Sequence, residues 1–282
     1  MGSAWFRLTN IDINGKGGDN LNHSNQTEDD IREFAQGLPF LKMNNINRMF
    51  YEMLPLCGFG TAIAFSRFLA LHQKIVSGSH ALINAYKKDH KSIWGDDLED
   101  SLWQRSMYFE NAIESYNKVV DYVYIILYFN FELYGIIDKE KIKTKEDVIR
   151  ISEKIKGKKL GKISEWISSN EFTSDFFGKF DDFRCYTEEM RNVANDMKHR
   201  GCITFEGIKQ PRYTKVTKVI DGNEIDITDL VSELIINLDS EIEKLSEIHR
   251  RTIELQKELY TLCDFQKKLT DFLNKNGLNM PA

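Results

Sequence analysis

The chain has 282 residues, of which 41% are hydrophobic and 12% aromatic, with 18 Phe and 11 Tyr, so its apolar area suffices for folding without disulfide or metal staples. Its 38 Lys and Arg against 43 Asp and Glu leave a formal charge of −5, which excludes a protein that coats nucleic acid through its overall field. Any nucleic-acid site must be local, and with only four Pro in the chain, long helices are permitted.

Cys57, Cys185, Cys202 and Cys263 form no Cys-x-x-Cys pair and have no histidine at metal-ligand spacing, so reduced thiols, no metal and no cofactor are expected. The N-terminus lacks a charged region followed by an apolar run and cleavage site, and a cytoplasmic protein is expected. The most apolar stretch, Val119 to Ile137, is interrupted by Asp121, Asn130 and Glu132. Its longest unbroken run, Tyr122 to Phe129, falls far short of the ~20 residues of a membrane span, so it reads as a buried helix and no membrane contact is expected.

In chain order, residues 1–27 form a flexible N-terminal segment, since 10–27 are rich in Asn, Gly and Asp with little apolar spacing. Residues 28–282 then form a single helical domain. Thr27-Glu28-Asp29-Asp30 starts a helix with acids in its first turn, and Gly37-Leu38-Pro39 ends it. From Asn45 to about His90, punctuation by Pro55, Gly58, Gly60 and Ser77-Gly78 predicts two or three helices. Leu102, Tyr108, Ile113, Tyr116, Val120, Tyr124 and Leu127 share related faces and predict one long central helix from Asp96 to Tyr134, stopped by Gly135. Thr144-Lys145-Glu146-Asp147 begins another, closed by Gly157, and Ile163 to Ser168 adds a short one.

Phe183, Tyr186, Met190, Val193 and Met197 recur at spacings of three and four, forming one buried stripe on a helix that ends at Gly201. The period then changes. Ile203-Thr204-Phe205 and the alternating run Tyr213 to Ile220, followed by Asp221-Gly222 and Glu224 to Ile227, predict a β-hairpin, with strand confined to about residues 202–228. Helical spacing returns from Thr228 to Asn274. One helix of that span is about 70 Å long, whereas a compact chain of this size has a radius of gyration of about 19 Å. It must kink, with His249-Arg250-Arg251-Thr252 the weak point, or project into a homodimer or another protein partner.

On the helix of the Phe183 to Met197 stripe, Arg184, Glu188, Arg191, Asn192, Asn195 and His199 fall within an arc of about 100° on the opposite side. This polar ridge suits a phosphodiester: Arg191 binds non-bridging oxygens in pairs, the amides orient ribose or phosphate, and His199 exchanges a proton near neutral pH. Lys198, His199 and Arg200 also have an ordinary alternative role, stabilising a helix C-terminus ahead of Gly201. Other candidates are weaker. Lys87-Lys88-Asp89-His90-Lys91 reads as a solvated helix end, His72 and His80 lack a carboxylate at zinc-ligand spacing, the four Trp read as core or interface anchors, and Gly15-Lys16-Gly17-Gly18 lacks the flanking strand and helix of a phosphate loop.

The run Arg191-Asn192-Val193-Ala194-Asn195-Asp196-Met197-Lys198-His199-Arg200-Gly201 resembles the motif helix of the HEPN superfamily, the higher eukaryotes and prokaryotes nucleotide-binding proteins. The resemblance implies a mainly α, HEPN-like helical bundle with a small β-hairpin insertion before a long C-terminal helix. It also implies RNA binding, with metal-independent cleavage by 2′-hydroxyl attack at a site shared across a homodimer, in a toxin or phage-defence setting. The catalytic positions it points to are Arg191, Asn192 and His199, with Arg184, Asn195, Lys198 and Arg200 binding substrate. The Arg191 to His199 gap is one residue longer than the family's usual maximum, and Asn192 is nearly eclipsed with His199 whereas Arg191 lies about 80° away, so either residue can hold the family's Arg position. The rival reading is a non-catalytic helical scaffold with its partner interface on the C-terminal helix.

Overall fold

A computed structural model describes residues 6–12, 26–42, 52–90, 98–153, 155, 158–200, 203–206, 212–220, 223–226 and 234–278. The chain is mainly helical. A strand β1 (Phe6–Asp12) precedes α1 (Glu28–Gly37), a 3-10 turn (Leu54–Cys57), α2 (Phe59–Tyr86), α3 (Leu98–Asn117), α4 (Val119–Asn130) and the one-turn α5 (Leu133–Ile136). Next come α6 (Lys145–Glu153), α7 (Lys158–Ser169), α8 (Ser174–Tyr186) and α9 (Glu188–Arg200). Strands β2 (Ile203–Phe205), β3 (Arg212–Ile220), β4 (Asn223–Asp226) and β5 (Leu234–Ile236) then lead to α10 (Leu238–Cys263) and α11 (Phe265–Lys275).

The axis of the molecule is α2, which packs along α3 and α4 and also receives α10. Its buried residues Ala64, Phe68, Leu71, Ile75, Gly78, Leu82 and Ala85 recur every three or four positions. Gly60 and Gly78, read from sequence as punctuation, lie inside this single 28-residue helix. Both are close-approach positions. A Cβ on Gly60 would stand 2.6 Å from the Phe129 carbonyl oxygen of α4, and one on Gly78 would stand 3.0 Å from Tyr116 Cζ of α3. The apolar run Tyr122 to Phe129 lies within α4, which is buried along most of its length. No helix among the described residues is long and apolar enough to cross a membrane.

The long central helix expected from Asp96 to Tyr134 is interrupted at Lys118 and again before Leu133. At Lys118 the carbonyl still accepts from Tyr122 N–H at 3.1 Å, so the helical bonding carries on into α4 across the junction. Glu132 adopts a left-handed conformation, and Gly135 sits inside α5 instead of ending a helix. The helix start expected at Thr27 is present, and there Thr27 forms a capping box with Asp30.

The C-terminal segment also departs from expectation. Leu234 to Ile236 is strand, and α10 begins only after Asn237, whose side chain accepts from Ser240 N–H. The break falls at Asp264, left-handed at φ 45°, and not at His249 to Thr252. The polar patch is instead locked into the core. His249 is 1% exposed and joins the Tyr116 hydroxyl at Nδ1 and the Pro39 carbonyl at Nε2, each at 2.8 Å, while Thr252 donates to Ile248 O. Asp264 closes α10 by donating its N–H to Tyr260 O and caps α11, which packs on the 3-10 turn. The segment's length is thus taken up within the chain, and the length-based ground for a projecting dimer helix disappears.

Strand is not confined to residues 202–228. β1, inside the segment read as a flexible lead-in, pairs antiparallel with β3 from Phe6↔Lys218 to Asp12↔Arg212, and β3 pairs antiparallel with β4 from Thr217↔Asp226 to Ile220↔Asn223. A pairing partner some 200 residues away leaves no local periodic signal. The Asp221-Gly222 turn lies outside the described residues. β2 and β5 form a separate parallel pair, Ile203↔Leu234 to Phe205↔Ile236, which ties the end of α9 to the start of α10. Phe205 is buried edge-on against Phe109 of α3.

Two outcomes are expected. Gly60→Ala lowers stability by about 1–3 kcal/mol in denaturant titration, because the new methyl meets backbone oxygen rather than a side chain that can turn away. Burial also depresses the imidazole pKa of His249, and likewise of His72 and His90. The unfolded chain therefore binds protons that the native one refuses from about pH 6.5 downward, and stability is lost as pH falls through that window. The thermal midpoint drops between pH 7 and pH 5.5, and the drop is shallower in His249→Gln; equal slopes count against His249 as a contributor.

Candidate functional site

The candidate ridge is built on α9, and its orientation is decided at Thr187. Phe183 to Met197 does not form one continuous helix: α8 ends at Tyr186 and α9 starts at Glu188. The buried Thr187 hydroxyl donates back to Phe183 O at 2.9 Å, the local side-chain bond with which threonine bends helices. Thr187 O still accepts from Arg191 N–H at 3.0 Å and starts the new helix.

This break separates the residues that one helical wheel placed together. Phe183 and Met190 enter the core, Val193 and Met197 pack on it half-buried, and Ala194 is buried. Tyr186 does not join them: it is 40% exposed, with the Arg251 guanidinium 3.5 Å above its ring. Arg184 stays on α8, where it pairs with Asp181 at 2.9 Å and lies 5.8 Å from the Tyr124 ring. Its buried Nε has no hydrogen-bond partner among the described residues.

On α9 itself, Asn192, Asn195 and Lys198 are exposed and Arg191 is half-buried. His199 and Arg200 close the helix, and their side chains lie outside the described residues. Among the described residues no side-chain hydrogen bond or ion pair engages Asn192, Asn195 or Lys198. Arg191 has an acidic neighbour. Desolvation raises the pKa of the Asp121 carboxyl on α4, and the Arg191 charge acts in the opposite sense.

Beside the ridge, between α3, α9 and α10, lies a cleft of 260 Å³. Phe109, Ile113, Met190, Val193, Leu245 and Ile248 make its walls. Tyr186, Glu189, Glu241 and Lys244 stand at its mouth, with Lys244 bridging Glu241 at 2.8 Å and Glu189 at 3.3 Å. The two carboxylates hold the Lys244 ammonium above the ordinary lysine value. Sequence reading missed this cleft, because Lys244 is 55 residues from Glu189 and nothing local links them.

The remaining candidates are engaged elsewhere. In the run Lys87 to Lys91, Lys88 pairs with Asp239 at 3.0 Å, and His90 contacts Asn84 O at 2.8 Å and stacks on Tyr108; Lys91 lies outside the described residues. His72 contacts the Gln256 amide at 3.2 Å and His80 is exposed. Among the described residues, no group of three or more His, Cys, Asp or Glu is placed to hold a metal ion. Trp166 packs half-buried beside Phe131, whereas Trp103 is 43% exposed; Trp5, Trp94 and Gly15 to Gly18 lie outside the described residues. Cys263 is buried, which pushes its thiol up to about 12, and Cys185 is exposed.

Comparisons with protein-family models, curated proteins and solved structures return no match to this chain.

The arrangement separates ridge from scaffold in stability measurements. Asn192→Ala, Asn195→Ala and Lys198→Ala each change unfolding free energy by no more than about 0.5 kcal/mol, as exposed positions do. Arg184→Ala costs more, about 1 kcal/mol, chiefly through lost stem packing, because its ion pair with the half-exposed Asp181 is screened by solvent. If Asn192 or Asn195 costs more than Arg184, the ridge is structural.

Proposed function

We propose that the protein binds RNA along the outer face of α9 and cleaves it there, with His199 exchanging the proton. The observation that carries this reading is the face itself: Asn192, Asn195 and Lys198 are exposed beside Arg191, while Met190 and Ala194 on the other side anchor the helix in the core. Amide donors and cationic groups one helical turn apart match successive oxygens of a phosphodiester backbone, and Arg191 supplies a planar fork for a phosphate. The overall charge of −5 restricts such binding to this local surface. The HEPN-like motif supplies the chemistry: attack by the ribose 2′-hydroxyl on the adjacent phosphorus, with the 5′-oxygen leaving and His199 moving a proton to or from one of these oxygens.

Arg184 drops out of the substrate-binding set in this reading, because it is held on α8 against Asp181 and Tyr124. Asn192 is exposed and Arg191 half-buried, so Asn192 is the more accessible residue for the position nearest His199 along the helix.

The test is cleavage and binding of single-stranded RNA by purified protein and four variants. His199→Ala abolishes cleavage and retains binding. Arg191→Ala and Lys198→Ala weaken binding and each make the slope of log K against log salt shallower by about 0.7. Asn192→Ala impairs turnover if Asn192 holds the position nearest His199 and leaves it unchanged if Arg191 does. Cleavage persists in EDTA. Absence of both binding and cleavage over a broad RNA panel overturns the reading, and cleavage abolished by EDTA overturns its metal-independent form.

A further inference from the structure

Resting on the RNA reading of α9, we infer that the cleft between α3, α9 and α10 receives a guanine base of the bound strand. At 260 Å³ it lies just below the ~300–1,000 Å³ of sites for drug-sized ligands, a size for one ring system rather than a dinucleotide. Its walls are apolar from all three helices, with Phe109, Ile113, Met190 and Leu245 among the lining, a surface on which a flat base can lie by one face with its Watson–Crick edge toward one rim and its charged backbone outside the other. The mouth carries polar groups of a definite pattern: the carboxylates of Glu189 and Glu241 flanking the Lys244 ammonium. That pattern selects among bases. Guanine alone presents two adjacent N–H donors, at N1 and N2, beside the O6 acceptor, so one carboxylate takes both donors while the ammonium donates to O6. Adenine and cytosine offer a single amino group on that edge, and uracil a single imino N–H.

Connectivity to the ridge supports the same occupant. Glu189 and Asn192 are three residues apart on α9, neighbours at roughly 5–6 Å between Cβ atoms. A phosphate held at Asn192 therefore has its own base within reach of the cleft mouth. Glu189 is the better placed of the two acids to read an incoming base: its side chain is 77% exposed and its contact with Lys244 is the longer, whereas Glu241 is 22% exposed and closely paired.

The experiment is fluorescence anisotropy with labelled octaribonucleotides carrying 2′-O-methyl groups, which block the 2′-hydroxyl attack: all-uridine, and the same with one central guanosine, adenosine or cytidine. Wild type binds the guanosine octamer roughly tenfold more tightly than the other three, the discrimination of a bidentate pair. Glu189→Gln brings the guanosine octamer to the level of the others, because an amide replaces one acceptor with a donor. Lys198→Ala weakens all four alike. Equal affinity for the four octamers in wild type, with Lys198→Ala still weakening them, overturns the base site and leaves the RNA reading standing. If no octamer binds, guanosine 5′-monophosphate titrated against wild type decides the cleft alone. Perturbed methyl resonances of Met190 and Val193, not produced by cytidine 5′-monophosphate, support it, and unperturbed ones overturn it.

Discussion

The close contact of α2 with α3 and α4 is the constraint on which the rest of the molecule depends. At Gly60 and Gly78 the helix presents bare backbone to the Phe129 carbonyl and the Tyr116 ring, at separations that leave no room for a side chain at Gly60 and a tight fit at Gly78. These two contacts bring α3 and α4 onto α2, and α9 and α10 are then laid against α3. The geometry of the candidate site thus traces back through α3 to two glycines that take no part in its chemistry.

Polar side chains decide which helix ends meet on that frame. Arg105 of α3 is nearly buried and donates Nε to Ala85 O at 2.8 Å while its guanidinium pairs with Asp239, joining the end of α2 to the start of α10. Burial opposes the charge on Asp239, but Arg105 and Lys88 prevail and hold its carboxyl below the ordinary range. At the opposite end Lys268 of α11 donates to Asn130 O and Oδ1 at 3.1 and 2.8 Å, closing the end of α4. His249 works in the same way between Tyr116 and Pro39. Such groups are costly to bury unless fully bonded, so each favours one arrangement of helices over other apolar packings.

The consequence for function is a helix with two unlike neighbours. Thr187 divides α8 from α9, and on α9 Asn192, Asn195 and Lys198 lie exposed while Met190 reaches the core. On one flank stands Asp121, whose carboxyl feels the Arg191 charge; on the other, the Glu189–Lys244–Glu241 bridge borders an apolar cleft. The β2–β5 pair, with Phe205 against Phe109, ties the end of α9 to α10 and keeps the ridge and the cleft in register.

What was legible in the sequence is what short range controls. Helical periodicity, the helix start at Thr27, the apolar run buried in α4 and the alternation of Tyr213 to Ile220 all act through neighbours a few residues apart, and they fall where the sequence places them. The polarity of Asn192, Asn195 and Lys198 was readable for the same reason. Tertiary structure alone decided the rest. It made Gly60 and Gly78 contacts rather than breaks, buried His249, moved the C-terminal bend to Asp264, drew Arg184 onto Asp181, and paired β1 with a strand 200 residues away. Each of those outcomes depends on which distant surface arrives opposite a residue, and no residue carries that information within its own helical turn.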